Sequence, residues 1–399
     1  MVRINENYLR LAPSYLFSEI ARRAREYQAE RPDARLLRLG IGNTTEPLAP
    51  TIVQGLHAGV DRLARRETYS GYGDEQGDSD LRERIAEVKY RARRLEIDAS
   101  EVFISDGAKS DTANIQSLFD PYAAVAFQDP AYPVYVDTNV IAGRERFVYL
   151  ACTEANGFIA PPPTDHVDLI YLCSPNNPTG AVARRETLRS YVEYALAHEA
   201  IILFDAAYEC FIRDPALPRS IYEIPDARRC AIELCTFSKE AGFTGVRLGW
   251  TVVPRNLDID RGNPRSVHEL WNRRQTTFFN GASNIAQRGG IASLTPEGLA
   301  ENARTIDIYM ENARAIRDGL SSIGLTVFGG ENAPYVWVRC PPGLDSWAFF
   351  DKLLREAHVI TTPGSGFGAH GEGYLRLSAF GHPENIAAAV ASIREKVRL

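Results

Sequence analysis

The chain has 399 residues, 45% hydrophobic and 24% charged, which are the proportions of a folded globular protein and exclude disorder as its main state. A net charge of −6, with no Lys/Arg run interleaved with aromatics, argues against a nucleic-acid partner. No window approaches the ~18 apolar residues that a membrane span requires.

The first residues, MVRINENYLRLAPSYLF, lack the apolar centre of a secretory signal. The six cysteines (152, 173, 210, 230, 235 and 340) form no CxxC pair, and several lie inside apolar runs. They read as buried thiols of a reducing compartment, which points to the cytoplasm, with no metal site. Asp80, just before LRERIAEV, is expected to cap a helix. The basic cluster at 91–94 is expected to be that helix's solvated end, where cations suit the dipole.

From residue 101 onward, short continuous apolar runs alternate with helical patterns. The runs are EVFISDGA (101–108), AAVAFQDPAY (123–132), VDLIYLCSPNNPTG (167–180), AIILFDAAY (200–208) and CAIELCTFSK (230–239). Between them, stretches such as 185–199 carry apolar residues at helical spacing. This rhythm predicts an α/β fold: a mostly parallel sheet with helices on both faces, which is why its strands are continuously apolar. Beyond residue 290 the rhythm stops. Two long helical patterns, 297–322 and 383–398, flank short strand-like stretches and predict a smaller α+β domain. The expected division is an N-terminal arm that joins the small domain (1–45), a large domain (46–290) and a small C-terminal domain (291–399). No internal repeat or low-complexity tract interrupts it.

In an open parallel sheet, ligands sit beyond the carboxyl ends of the strands. Here those ends carry Asp106-Gly107-Ala108-Lys109, Tyr132, Asn177, Asp205 with Tyr208, and Lys239. Singly, each has an ordinary explanation: a strand-to-helix turn, half-buried aromatics, a structural ion pair. Together they match the needs of pyridoxal phosphate, which takes a lysine for its Schiff base, a carboxylate on its ring nitrogen and donors for its phosphate. Lys239 and Asp205 suit the first two roles. Arg247, Thr236, Ser238 and the turn at Gly107, Ala108 and Lys109 suit the third, because a helix N-terminus and a guanidinium both favour phosphate. Asn177 and Tyr208 can hydrogen-bond the ring's phenolic oxygen, and Tyr132 can stack on the ring.

With Asn-Pro-Thr-Gly (177–180), Asp-Ala-Ala-Tyr (205–208) and SKEAGFTGVRLG (238–249) in that order, the chain resembles the fold-type I pyridoxal-phosphate aminotransferases over nearly its whole length. Within that group it is similar to the LL-diaminopimelate aminotransferases, through INENYLRL (4–11), RLGIGNTTEPL (38–48), GYGDEQG (71–77), FNGASN (279–284), TTPGSGFG (361–368) and GEGYLRLSAFGHPEN (371–385). The resemblance implies a homodimer with shared active sites that acts on small amino acids and 2-oxo acids. It implies that Lys239 carries the cofactor and moves the substrate's proton, with Asp205 and Tyr208 beside the ring. Tyr72 would reach the phosphate from the partner subunit, and Arg376 would bind the substrate's α-carboxylate. Tyr15, Gly42, Glu75, Lys109 and Asn280, with Tyr132 and Asn177, would surround the rest of the substrate, Glu75 facing its second ammonium. On its sequence alone, Arg376 between two leucines would be a paired structural residue.

Three features depart from the family pattern. The segment 143–149 is short, Ser110 stands where cysteine is common, and Glu240 puts a carboxylate directly after the Schiff-base lysine. They motivate a second reading, in which a diverged relative uses the same cofactor for elimination, cyclisation or carbon–carbon bond formation. A third, a cofactor-binding regulator without chemistry, needs a DNA-binding segment that residues 1–50 have neither the charge nor the length to supply.

Overall fold

The structure is a computed structural model and describes residues 2–11, 16–40, 42–257 and 264–398. Its strands are β1 (Leu37–Arg38), β2 (Val102–Ser105), β3 (Val125–Asp129), β4 (Phe147–Ala151), β5 (Leu169–Cys173), β6 (Ile201–Asp205), β7 (Ala231–Thr236), β8 (Gly249–Val252), β9 (Val327–Gly329), β10 (Tyr335–Arg339), β11 (Val359–Ile360), β12 (Thr362–Pro363) and β13 (Tyr374–Ser378). Seven form a sheet in the order β2-β8-β7-β6-β5-β3-β4, parallel except for β8, which runs antiparallel to both neighbours. β12-β13-β10-β9 form an antiparallel sheet, and β1 pairs with β11.

The central strands are continuously apolar because both faces are covered. In β5 and β6, Ile170, Leu172, Ile202 and Phe204 enter one core, while Leu169, Tyr171, Ile201 and Leu203 enter another on the opposite face. Period-two alternation thus feeds two cores. The covering helix Arg185–His198 buries Leu188, Tyr191, Val192 and Ala195, a 3.6-residue stripe, against the first. Helix Pro296–Ser321 starts at Thr295, whose side chain accepts from the Gly298 N–H, and Pro296 suits the first turn. It buries Ile306 and Tyr309 in the core of the seven-stranded sheet and Ala313, Ile316 and Leu320 in a third core under the small sheet. One helix thereby ties the two sheets together.

Two local expectations are corrected. Helix Ser79–Ile85 is capped by Asp78, whose carboxylate accepts from the Asp80 N–H, and Asp80 sits in the first turn, where an acid suits the dipole. The helix then widens into a π turn, Ala86–Tyr90, and ends in a 3-10 turn, Arg91–Arg93. Arg93 is not simply solvated there but bonds Glu209 at 3.0 Å. All six cysteines are free thiols, five of them buried. Among the described residues, no helix is long and apolar enough to cross a membrane.

Candidate active site

Beyond the carboxyl ends of β5, β6 and β7 lies a cleft of about 510 Å³, walled on its far side by Gly40, Tyr335, Ile360 and Arg376. Asp205 ends β6, level with Cys173 of β5 and Leu234 of β7, so its carboxylate enters the cleft from the sheet's centre. Tyr135 donates to its Oδ2 at 2.6 Å and the Ala207 N–H to its Oδ1 at 2.9 Å. Burial raises the Asp205 carboxyl above its ordinary range, a rise that those two bonds and nearby Lys239 only partly offset.

Lys239 lies in the short helix Phe237–Glu240, capped by Thr236, whose Oγ1 accepts from the Ser238 N–H at 3.0 Å. The Lys239 Nζ donates to the Gly42 carbonyl. Burial, with the repulsion of Arg376 and Arg247, pushes this amine down to about 7, against the weaker pull of Cys210 and Asp205. Near neutral pH it is therefore substantially uncharged, as a nucleophile and proton carrier must be.

A phosphate-sized cradle sits beside it. Arg247 holds φ +67, a left-handed conformation that a side-chain-bearing residue rarely adopts, and donates from Nη1 to the Ser238 hydroxyl at 3.3 Å. Gly107, at φ +127, opens the helix Ala108–Ile115; a Cβ there would lie 2.5 Å from the Arg247 Nη2. Glycine keeps this space clear. Gly107 does not itself line the cleft, whereas Ala108, Lys109, Thr236 and Ser238 do.

On the opposite wall Arg376 is 1% exposed. Its Nη1 donates to the Asn177 Oδ1 at 2.7 Å and its Nη2 to the Gly40 carbonyl at 2.8 Å, while Nε has no partner among the described residues. The rings of Tyr335, Phe367 and Phe17 surround it, and no carboxylate among the described residues pairs with it. A buried guanidinium without a counter-anion is expensive, so this wall is built for an anionic ligand. The turn after β5 fixes Asn177 in place: Asn176 accepts from Thr179 through both N–H (3.2 Å) and Oγ1 (3.0 Å), and Gly180 has no room for a Cβ, which would lie 2.6 Å from the Tyr335 carbonyl.

Tyr208 and Tyr335 share a hydrogen bond of 2.8 Å, and Lys109 holds its ammonium 6.0 Å from the centre of the Tyr132 ring. Gly42, Lys109, Tyr132, Asn177, Asp205, Tyr208, Thr236, Ser238, Lys239, Arg247 and Arg376 all line the one cleft. Tyr72, Glu75 and Asn280 do not; Tyr72 is 87% exposed, Asn280 is exposed and Glu75 is half-buried. Tyr15 falls outside the described residues. Reading the sequence missed Tyr135 and Tyr335, which stand in DPAYPVYVDTNV (129–140) and NAPYVWV (332–338).

Glu240 is the main correction. Its carboxylate turns away from the cleft and binds Lys89 through both oxygens at 2.5 Å. Ser110 likewise bonds locally, to Asp106 and the Gly107 carbonyl.

Comparison with known proteins agrees with this geometry. The model of the family "aminotransferase class I and II" matches residues 34–393. The chain belongs to the class I and II aminotransferases. It is similar to the L,L-diaminopimelate aminotransferase from Chlamydomonas reinhardtii at 47% identity, with 99% of this chain and 98% of that one covered and a TM-score of 0.93. An aminotransferase from Mycobacterium tuberculosis is 25% identical over 99% of this chain and 98% of that one, with a TM-score of 0.85. The aromatic aminotransferase from Pyrococcus horikoshii is 25% identical over 93% of this chain and 97% of that one, at 0.80.

Aminotransferases of this class use pyridoxal phosphate, and the residues present fit it. The cradle at Gly107 and Arg247 would hold the phosphate, Asp205 would face the ring nitrogen, and Lys239 would supply the amine for the aldehyde.

Proposed function

We propose that this aminotransferase exchanges an amino group between LL-2,6-diaminopimelate and 2-oxoglutarate, the biosynthetic direction running from glutamate to tetrahydrodipicolinate. The buried, anion-less guanidinium of Arg376 facing Lys239's wall of the cleft carries the reading, since it calls for a substrate with an α-carboxylate. The full-length likeness to an L,L-diaminopimelate aminotransferase supports the particular substrate.

Bound pyridoxal phosphate supplies an electron sink that makes the substrate's Cα proton removable. Arg376 and Asn177 grip the α-carboxylate and orient Cα. Lys239, its amine lowered to about 7, takes that proton on Nζ and later returns it. Asp205, whose charged form the Tyr135 hydroxyl favours, would pair with the ring nitrogen. Tyr208, held by Tyr335, would donate to the ring's phenolic oxygen. Gly42, Lys109 and Tyr132 also line the cleft and would meet the rest of the substrate.

In this reading the enzyme is a cytoplasmic homodimer. Tyr72 reaches the partner's phosphate site, and Glu75 and Asn280 reach the distal end of the partner's substrate. The near-complete exposure of Tyr72 and the exposure of Asn280 support this, and six free thiols suit a reducing compartment. Segments 1–45 and 291–399 form one domain and 46–290 the other; the pairing of β1 with β11 supports that division. The diverged alternative draws nothing from Glu240, which is engaged by Lys89.

Comparing kcat/KM for LL-diaminopimelate, its meso isomer, glutamate and aromatic amino acids as donors tests the reading. LL-diaminopimelate and glutamate are expected to lead. A clear preference for another donor, or product formation without amino transfer, refutes the substrate and favours the diverged alternative.

A further inference from the structure

Behind the cleft, Lys89 lies at the centre of a cluster that the proposed chemistry does not use. Its Nζ sits 2.5 Å from each oxygen of Glu240 and 3.1 Å from Glu209 Oε1, while Arg93 takes the other Glu209 oxygen at 3.0 Å. Lys89 is buried, the Glu209 and Glu240 side chains keep only 12% and 11% exposure, and none of the three lines the cleft. The two acids have one thing in common: Glu209 directly follows Tyr208, and Glu240 directly follows Lys239.

The sheet does not hold those two segments together at this point. β6 and β7 are joined by their ladder as far as the bond from the Ala206 N–H to the Leu234 carbonyl. Beyond it, among the described residues, no backbone hydrogen bond joins 207–211 to 237–241. The next link between them is Lys89, which arrives from the π turn Ala86–Tyr90, a local widening that such sites recurrently use to aim a side chain. Burying an ammonium is unfavourable in itself, and buried ion pairs are poor sources of net stability, so registry is the better physical account of this one.

We propose that Lys89 is a positioning residue: gripping Glu209 and Glu240 at once, it clamps the backbones that carry Tyr208 and Lys239 and sets the separation of their hydroxyl and amine. The inference rests on Lys239 carrying the cofactor and Tyr208 contacting it.

Lys89→Met and Lys89→Arg test it. A shift of about 1 Å at a reacting group lowers turnover by up to ~10²-fold, so Lys89→Met is expected to lose roughly 10- to 100-fold in kcat, with KM changed by less than about threefold. In the cofactor-free protein, acetylation of Lys239 relative to exposed lysines, read by peptide mass spectrometry, is expected to change as well. Lys89→Arg, which can still bridge both acids, is expected to recover most of both. A folded Lys89→Met whose kcat and Lys239 acetylation match the parent within twofold overturns the proposal, as does a loss that Lys89→Arg fails to reduce. Should Lys89→Met not fold, Glu240→Gln carries the same expectation in smaller measure and the same refutation. Lys239→Ala run in parallel separates the two levels: if it retains turnover, the role of Lys239 is wrong, whereas its inactivity beside a parent-like Lys89→Met sinks only the clamp.

Discussion

Replacing Tyr135 by Phe removes one hydroxyl, the one that donates to Asp205 at 2.6 Å, and leaves the ring packed between Tyr132 and Tyr171. A buried hydrogen bond to an ionised group contributes about 1.5–3 kcal/mol. Because this bond favours the charged form, its loss raises the Asp205 carboxyl further in the direction burial already drives it. A protonated Asp205 cannot hold the ring nitrogen's proton, so the acid limb of kcat/KM against pH should move to higher pH while the basic limb stays. Thermal denaturation should show a loss of about 1–3 kcal/mol, since one carboxylate oxygen is left unpartnered. An acid limb for Tyr135→Phe that overlays the parent's, while Asp205→Asn abolishes activity, would refute the assignment of Tyr135 as the group that keeps Asp205 ionised.

With its amine at about 7 and not 10.5, Lys239 of the cofactor-free protein should capture pyridoxal phosphate at a rate that climbs about tenfold per pH unit below 7 and levels off above it, by stopped-flow absorbance; continued rise to pH 10 would contradict the depressed value. Arg376→Leu should lower kcat/KM for both amino donor and 2-oxo acceptor by roughly 30- to 1,000-fold, the cost of about 2–4 kcal/mol for a removed buried charge partner, with cofactor affinity unchanged in equilibrium dialysis. Gly107→Ala forces a Cβ against the Arg247 guanidinium and strains a φ of +127. Its pyridoxal phosphate Kd should weaken about tenfold or more, consistent with ~1–3 kcal/mol of strain and clash.

Much of the large sheet is legible in the sequence because its strands are short apolar runs that end in polar turns. The runs at 101–108, 123–132, 167–180, 200–208 and 230–239 contain β2, β3, β5, β6 and β7. β8 is less visible: it lies within and just past a glycine-rich stretch, and its antiparallel direction follows from tertiary pairing alone. β4 begins in a segment that looks like a shortened loop. At the site, Lys239, Asp205 and Arg247 stand out because polar residues interrupt apolar or small-residue runs. Tyr135 does not, since a tyrosine in an apolar helix looks like core until its hydroxyl is seen on a carboxylate. Glu240 misleads for the reverse reason. Adjacent in sequence to the key lysine, it points the other way along a helix, and its partner Lys89 is 151 residues distant in the chain.

The most direct test of the function is a half-reaction without acceptor. Purified protein carrying pyridoxal phosphate is mixed with LL-diaminopimelate, and its absorbance is followed while the released 2-oxo acid is quantified. The expected result is conversion of the bound cofactor to its amino form, absorbing at shorter wavelength, with one equivalent of 2-oxo acid per site, and neither change in Lys239→Ala. An unchanged spectrum with both LL-diaminopimelate and glutamate would contradict it.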